Sequence, residues 1–158
     1  KKESALDIKD CRPVAIGNMI PEVISKIIAL RLSSITDELI TPNQFGCLPG
    51  RNIQSCLLTA SEIVNIMRKK CKNGSFSLKL DISNAFDIIC WNFLFTILRE
   101  HGFYELFIKM VSTILSSVRL SILINGSPRG YFTCTRGVRQ GDPLSGILFA
   151  LAEDYLSV

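Results

Sequence analysis

From Pro21 onward, apolar residues fall at Val23, Ile24, Ile27, Ile28, Leu32, Ile35 and Leu39. That spacing predicts one long amphipathic helix, with Pro21 in its first turn, where an N–H is not needed. The next stretch, TPNQFGCLPGR over 41–51, holds two prolines and two glycines and predicts a loop ending in an arginine. Ile53, Cys56, Leu57, Ala60, Val64 and Met67 then mark a second helix. After a turn at Lys72-Asn73-Gly74 the period changes to two. Phe76, Leu78 and Leu80 alternate with Ser75, Ser77 and Lys79, as in a half-buried strand that ends at Asp81.

Helical spacing returns at Trp91, Leu94, Phe95 and Leu98, with Gly102 placed to stop the helix. Leu106, Phe107, Met110, Val111 and Ile114 predict another. Val118, Leu120, Ile122 and Ile124 alternate up to Asn125-Gly126, a strong two-residue hairpin signal, so 118–136 reads as a hairpin. The last pattern is Leu144, Ile147, Leu148, Leu151 and Tyr155, preceded by Asp142 as a cap and Pro143 at the helix entrance. Several helices, a lone strand and a hairpin predict an α+β domain with helices packed on a small antiparallel sheet.

Composition narrows the classes. Of the 158 residues, 47% are hydrophobic, enough for a core and too many for a disordered segment. No apolar run approaches the roughly 20 residues that span a bilayer. The first ten residues lack the apolar stretch of a signal peptide, and the absent initiator Met suggests a fragment. Six cysteines without a C-x-x-C pair, and one histidine, argue against a zinc site and for a reducing compartment. Net charge is +4, unevenly spread. Residues 1–80 carry twelve Lys and Arg against seven Asp and Glu; residues 81–158 carry six against seven. The basic half suits a polyanion. Equally, Arg68, Lys69, Lys70 and Lys72 are placed to close a helix with favourable charge.

Three places carry candidate chemistry. Asp81 at a strand end, with the backbone carbonyl of Ile82, makes a hard-oxygen pair suited to Mg²⁺; the alternative is that Asp81 caps the next helix. Asp87, six residues on, reads as a cap or a buried hydrogen-bond partner. Around Arg136, Arg139, Gln140, Gly141 and Asp142, two guanidiniums and a glycine at a helix entrance suit phosphate, or form an ordinary polar connection. Gly50-Arg51 carries the same two readings.

These stretches resemble a known family. LKLDISNAFDIICWNFL resembles the A motif of reverse transcriptases, and RGVRQGDPLSGILFALAEDYLS their B motif. DCRPVAIGNMIPEVISKIIALRL and NQFGCLPGRNIQ resemble the finger motifs of the same enzymes, above all those of non-LTR (LINE-type) retrotransposons of plants, with group II intron maturases more distant. The four motifs occur in family order over nearly the whole chain. The resemblance implies a partial right-hand polymerase fold, with fingers over about 1–75 and incomplete palm over about 76–158. It implies an RNA-directed DNA polymerase that takes an RNA template, a DNA primer and deoxynucleoside triphosphates.

In that family Asp81 would hold the catalytic metals, two Mg²⁺ with Mn²⁺ as a substitute. Phe86 would stack under the incoming sugar and exclude a 2′-hydroxyl. Gln140 and Gly141 would approach the nucleotide, Arg51 and Arg12 the triphosphate, and Arg139 and Pro143 the template and primer. The family's aromatic-x-Asp-Asp hairpin and thumb would lie beyond Val158. Glu153-Asp154-Tyr155 is expected on a helix and is not that motif. Two other readings compete. A catalytically dead nucleic-acid-binding remnant would bind without Mg²⁺ and synthesise nothing. A phosphohydrolase would want a second acid two residues after Asp81, where Ser83 stands.

Overall fold

A computed structural model describes residues 16–69 and 74–157. Arg12, Lys70, Lys72 and Asn73, all named above, lie outside the described residues. The order of elements is α1 (Met19–Ser33), α2 (Thr36–Leu39), α3 (Ile53–Met67), α4 (Ala85–Ile88), α5 (Trp91–Glu100), α6 (Glu105–Ser116), β1 (Arg119–Ile124), β2 (Ser127–Thr133) and α7 (Ser145–Ser157). The class is α+β, with a two-stranded antiparallel sheet.

The core is helix on helix. Leu94, Ile97 and Leu98 of α5 meet Ile108, Val111 and Leu115 of α6 and the buried residues of α7. Ile28, Ala29 and Leu32 bring α1 to α7. Ile147, Leu148, Ala150, Leu151 and Ala152 are all buried, as is Leu144 just before the helix, so α7 is enclosed on most of its circumference.

Several boundaries follow from local chemistry. The predicted helix over 21–39 is two helices. Ser33 Oγ donates to Leu30 O and Ser34 Oγ to Arg31 O, and Thr36 Oγ1 donates to Ser33 O. Such hydroxyls offer the backbone an alternative partner, and the helix stops among them. At the end of α5, Phe103 N donates to Leu98 O and Gly102 N to Arg99 O, with Gly102 at φ +79°. This is the Schellman stop that Gly102 predicts. Asn125 (φ +49°) and Gly126 (φ +77°) form the predicted hairpin turn, with left-handed backbone at both central residues. Ile122 pairs with Arg129 and Leu120 with Phe132, so β2 carries one extra residue near Gly130.

Three expectations fail. The alternation over 76–80 does not form a strand: residues 75–82 carry no regular structure, and Phe76, Leu78 and Leu80 are 91%, 76% and 78% exposed. Alternation makes a strand only where an edge offers hydrogen bonds and a face offers burial, and among the described residues β1 pairs with β2 alone. The helices do not pack on the sheet, since both strands are exposed apart from half-buried Leu120. The apolar stripes are also wider than, or offset from, the buried faces. On α1 the buried set is Ser25, Ile28, Ala29 and Leu32, while Val23, Ile24 and Ile27 stay exposed. On α6, Leu106 and Met110 are exposed, and α3 buries none of its stripe.

Two stretches distant in sequence are joined by backbone. Val138 N donates to Phe86 O at 2.7 Å, Gly137 N to Ile89 O at 2.7 Å, and Trp91 Nε1 to Gly137 O at 2.8 Å. Gly137 sits at φ +83°, and a Cβ there would lie 2.7 Å from the Asp87 carbonyl oxygen. Only glycine fits both conditions.

Gly137→Ala is therefore expected to destabilise the chain by about 3 kcal/mol, the sum of left-handed strain and a backbone overlap. Gly50→Ala, at φ +80° with open space around it, should cost only about 1 kcal/mol. Denaturant unfolding of both variants checks this; equal losses would contradict the close approach of Gly137 to Asp87.

Candidate functional site

The candidate residues fall into three groups. Asp81 and Ile82 are exposed, on the irregular stretch before α4. Among the described residues no group of three or more His, Cys, Asp or Glu could hold a metal ion. The donor chemistry here is one accessible carboxylate beside a backbone carbonyl. That fits a share of a hard-cation site that takes its other donors from elsewhere. Asp81 caps no helix: Asn84, in the left-handed conformation (φ +52°, ψ +38°), precedes α4. The chain then turns sharply, and Asp87 N donates to Asn84 O at 2.8 Å. Asp87 is exposed, against the expectation of a cap or a buried partner; it is its backbone that lies under Gly137.

Phe86 is half-buried and stacks on Phe149 of α7, with ring centroids 4.5 Å apart and planes at 14°. The contact fixes one face of the Phe86 ring against the core.

The second group is the entrance to α7. Asp142 N donates to Arg139 O at 3.4 Å, which closes a turn with Gln140 and Gly141 at its centre. Gly141 has φ +104°, suited to the third position of such a turn. Arg139 Nη2 reaches Asp142 Oδ2 at 2.9 Å. Leu144 N donates to Asp142 Oδ1 at 2.9 Å, so Asp142 caps as expected, and Pro143 lies just outside α7. Behind this turn is a cavity of about 170 Å³, lined in part by Asp87, Trp91, Cys134, Arg136, Arg139 and Gln140. The structure thus brings Arg139 and Gln140 together with the stretch after Phe86. Asp81 and Ile82 do not line this cavity.

Arg51 is the third. Its side chain is 13% exposed. Nη1 donates to Thr41 O and to Gln44 O (2.7 Å), and Nη2 to Ile40 O (2.9 Å) and Asp37 Oδ1 (3.2 Å). Both terminal nitrogens hold the loop before α3. Arg12 lies outside the described residues.

Some residues that shape the site carry no motif signal. Asp154 accepts from Thr41 N and Oγ1, and Glu153 Oε2 from Gln44 Nε2 at 3.0 Å. These acids lie on α7, as expected, and tie down the loop that Arg51 braces. Two acids side by side in an otherwise apolar helix were the available hint. Ser25 and Gly137 gave none. At the start of α5, backbone N–H groups of Phe93 and Asn92 hold the Cys90 thiol below the ordinary range, with Arg136 adding to the effect. Burial, reinforced by the Glu153 carboxylate, pushes Cys47 up.

The family model described as reverse transcriptase (RNA-dependent DNA polymerase) matches residues 1–157. The chain is 34% identical over 152 residues to a protein of Xenopus laevis described as the transposon TX1 uncharacterized 149 kDa protein, covering 96% of this chain and 12% of that one. It is 31% identical over 150 residues to a retrovirus-related Pol polyprotein from the type-2 retrotransposable element R2DM of Drosophila melanogaster, covering 94% and 14%. A Pol polyprotein of the type-1 retrotransposable element R2 of Popillia japonica is 27% identical over 146 residues, covering 92% and 20%. The chain therefore spans a fifth or less of the length of these relatives. With its whole described length matched, the chain belongs to the reverse transcriptase (RNA-dependent DNA polymerase) family.

Proposed function

We propose that the chain is part of the RNA-directed DNA polymerase of a non-LTR retrotransposon, with fingers over about 1–75 and part of the palm over about 76–158 of a right-hand fold. One observation carries the reading. The stretch after Asp81 and the turn before α7 are bonded backbone to backbone through Phe86, Ile89, Gly137 and Val138, and a polymerase needs its metal-binding and nucleotide-contacting segments held in one frame.

The reaction is deoxynucleotidyl transfer. The primer 3′-oxygen attacks the α-phosphorus of a deoxynucleoside triphosphate, and pyrophosphate leaves. Asp81 and the Ile82 carbonyl contribute donors for Mg²⁺, and further carboxylates of the complete polymerase share the ions. Bound there, divalent ions supply charge that favours the attacking alkoxide and the departing pyrophosphate. Phe86, braced by Phe149, presents the rest of its ring to the sugar and blocks a 2′-hydroxyl. Gln140 and Gly141 approach the nucleotide from the α7 turn, with Arg139 and Pro143 beside the template and primer. The role of Arg51 at the triphosphate runs through the loop that its Nη atoms hold, with Arg12 as a second cation. The basic first half supplies contacts to RNA and primer phosphates.

Two measurements on the 158-residue chain test this. Titration with Mn²⁺ should broaden the nuclear magnetic resonances of Asp81 and Ile82 first. Asp81→Asn, which keeps the shape and removes the charge, should abolish that broadening without lowering the melting temperature. Broadening centred on Glu153 and Asp154, or unaffected by Asp81→Asn, would contradict the assignment. Binding to a primed RNA template should be weak, with Kd in the non-specific range of about 10⁻⁴–10⁻⁶ M, and should fall steeply with salt as counterions are released. Salt-insensitive binding would contradict the role given to the basic half.

A further inference from the structure

Ser25 lies on α1, 117 residues before Asp142, and its side chain is fully buried. The buried face of α1 is Ser25, Ile28, Ala29 and Leu32, a helical stripe in which an alanine or a larger apolar residue would pack without needing a partner. A buried hydroxyl is tolerable only when bonded. Its partner is a carboxylate: Ser25 Oγ donates to Asp142 Oδ2 at 3.1 Å.

That carboxylate is 6% exposed and takes three donors from three places. Ser25 comes from α1, Arg139 Nη2 (2.9 Å) from the start of the turn, and Leu144 N (2.9 Å, at Oδ1) from the entrance of α7. Arg139 and Asp142 are the two ends of the turn whose centre is Gln140-Gly141. The turn is thus closed twice, by Asp142 N to Arg139 O and by the ion pair between the same residues. Neither bond fixes where the closed turn sits relative to the first half of the chain. The bond to Ser25 does, and a charged acceptor makes it a strong one.

We infer that Ser25 is a positioning residue for the nucleotide turn: through Asp142 it sets Gln140 and Gly141 at a defined place against α1, so that finger and palm elements meet the incoming nucleotide in register. The inference rests on the polymerase reading above for the nucleotide itself, whereas the tie is a separate physical claim. Loss of the hydroxyl frees the Asp142 end of the turn, so that the bond from Asp142 N to Arg139 O opens more often.

The test compares the native chain with Ser25→Ala and Asp142→Asn, with dATP and Mg²⁺ as the probe. Asp142→Asn keeps an oxygen for Leu144 N but puts an amide nitrogen, which cannot accept, where Oδ2 receives Ser25 and Arg139, so it weakens the same tie from the other end. Amide hydrogen exchange and resonance positions are followed residue by residue. In both variants the Asp142 amide should exchange about tenfold faster, as expected of a local opening, and the shifts that dATP produces at Gln140 and Gly141 should weaken. Amides of α5, α6 and the hairpin should be unchanged. Uniform acceleration across α1, α5 and α7 would mean that Ser25 only fills space, and would overturn the inference. Unchanged exchange at Asp142 would overturn it as well. A local response at Asp142 with no response of the native chain to dATP would uphold the tie and overturn the nucleotide role given to Gln140 and Gly141.

Discussion

Helix α7 has to be enclosed. Its buried residues occupy most of its circumference, and an α-helix apolar nearly all round has no stable place except inside. Helices α1, α5 and α6 and the loop before α3 are arranged by what they cover. Helices α1 and α5 pack on α7 directly, and α6 packs on α5. The Cβ of Cys47, in the loop before α3, is close enough that even a methyl group on Gly146 would touch it at 3.4 Å. Phe149 takes the ring of Phe86. Truncating a fully buried leucine such as Leu148 removes contacts on several sides at once, which is why such changes cost about 2–5 kcal/mol.

Enclosure leaves the polar groups of α7 with a second task. Asp142 at its entrance and Glu153 and Asp154 near its end are the acids in an apolar segment, and each is bonded to a distant loop or helix. They convert non-directional burial into defined placement. The Gly137 staple does the same for the stretch after Asp81, with backbone groups instead of side chains. Candidate residues from opposite ends of the sequence thus share one frame without touching each other.

The parts legible in the sequence are those specified locally. Gly102 stops α5 because the left-handed stop is a property of a few residues, and Asn125-Gly126 makes its turn for the same reason. Asp142 caps the segment that follows it. The hidden parts depend on distant partners. Phe76, Leu78 and Leu80 have a strand's period, but pairing is decided by a second strand, and none meets them among the described residues. The stripe on α1 gave its helix and not its contact face, since Ser25 looks like a polar interruption until Asp142 is placed beside it. Gly137 looks like any loop glycine until Asp87 lies over it. Of the candidate site, the turn at 139–142 was legible as a helix entrance, whereas the bracing of the 40–44 loop by Arg51 was not.

Backbone bonds at Gly137 and Val138 join the two motif stretches into one frame. Denaturant-dependent hydrogen exchange of the native chain measures it directly. The amides of Gly137 and Val138 should exchange only through the global opening that also exposes Leu148, with the same dependence on denaturant. Exchange at the rate of a free loop, matching the exposed turn at Asn125-Gly126, would contradict it.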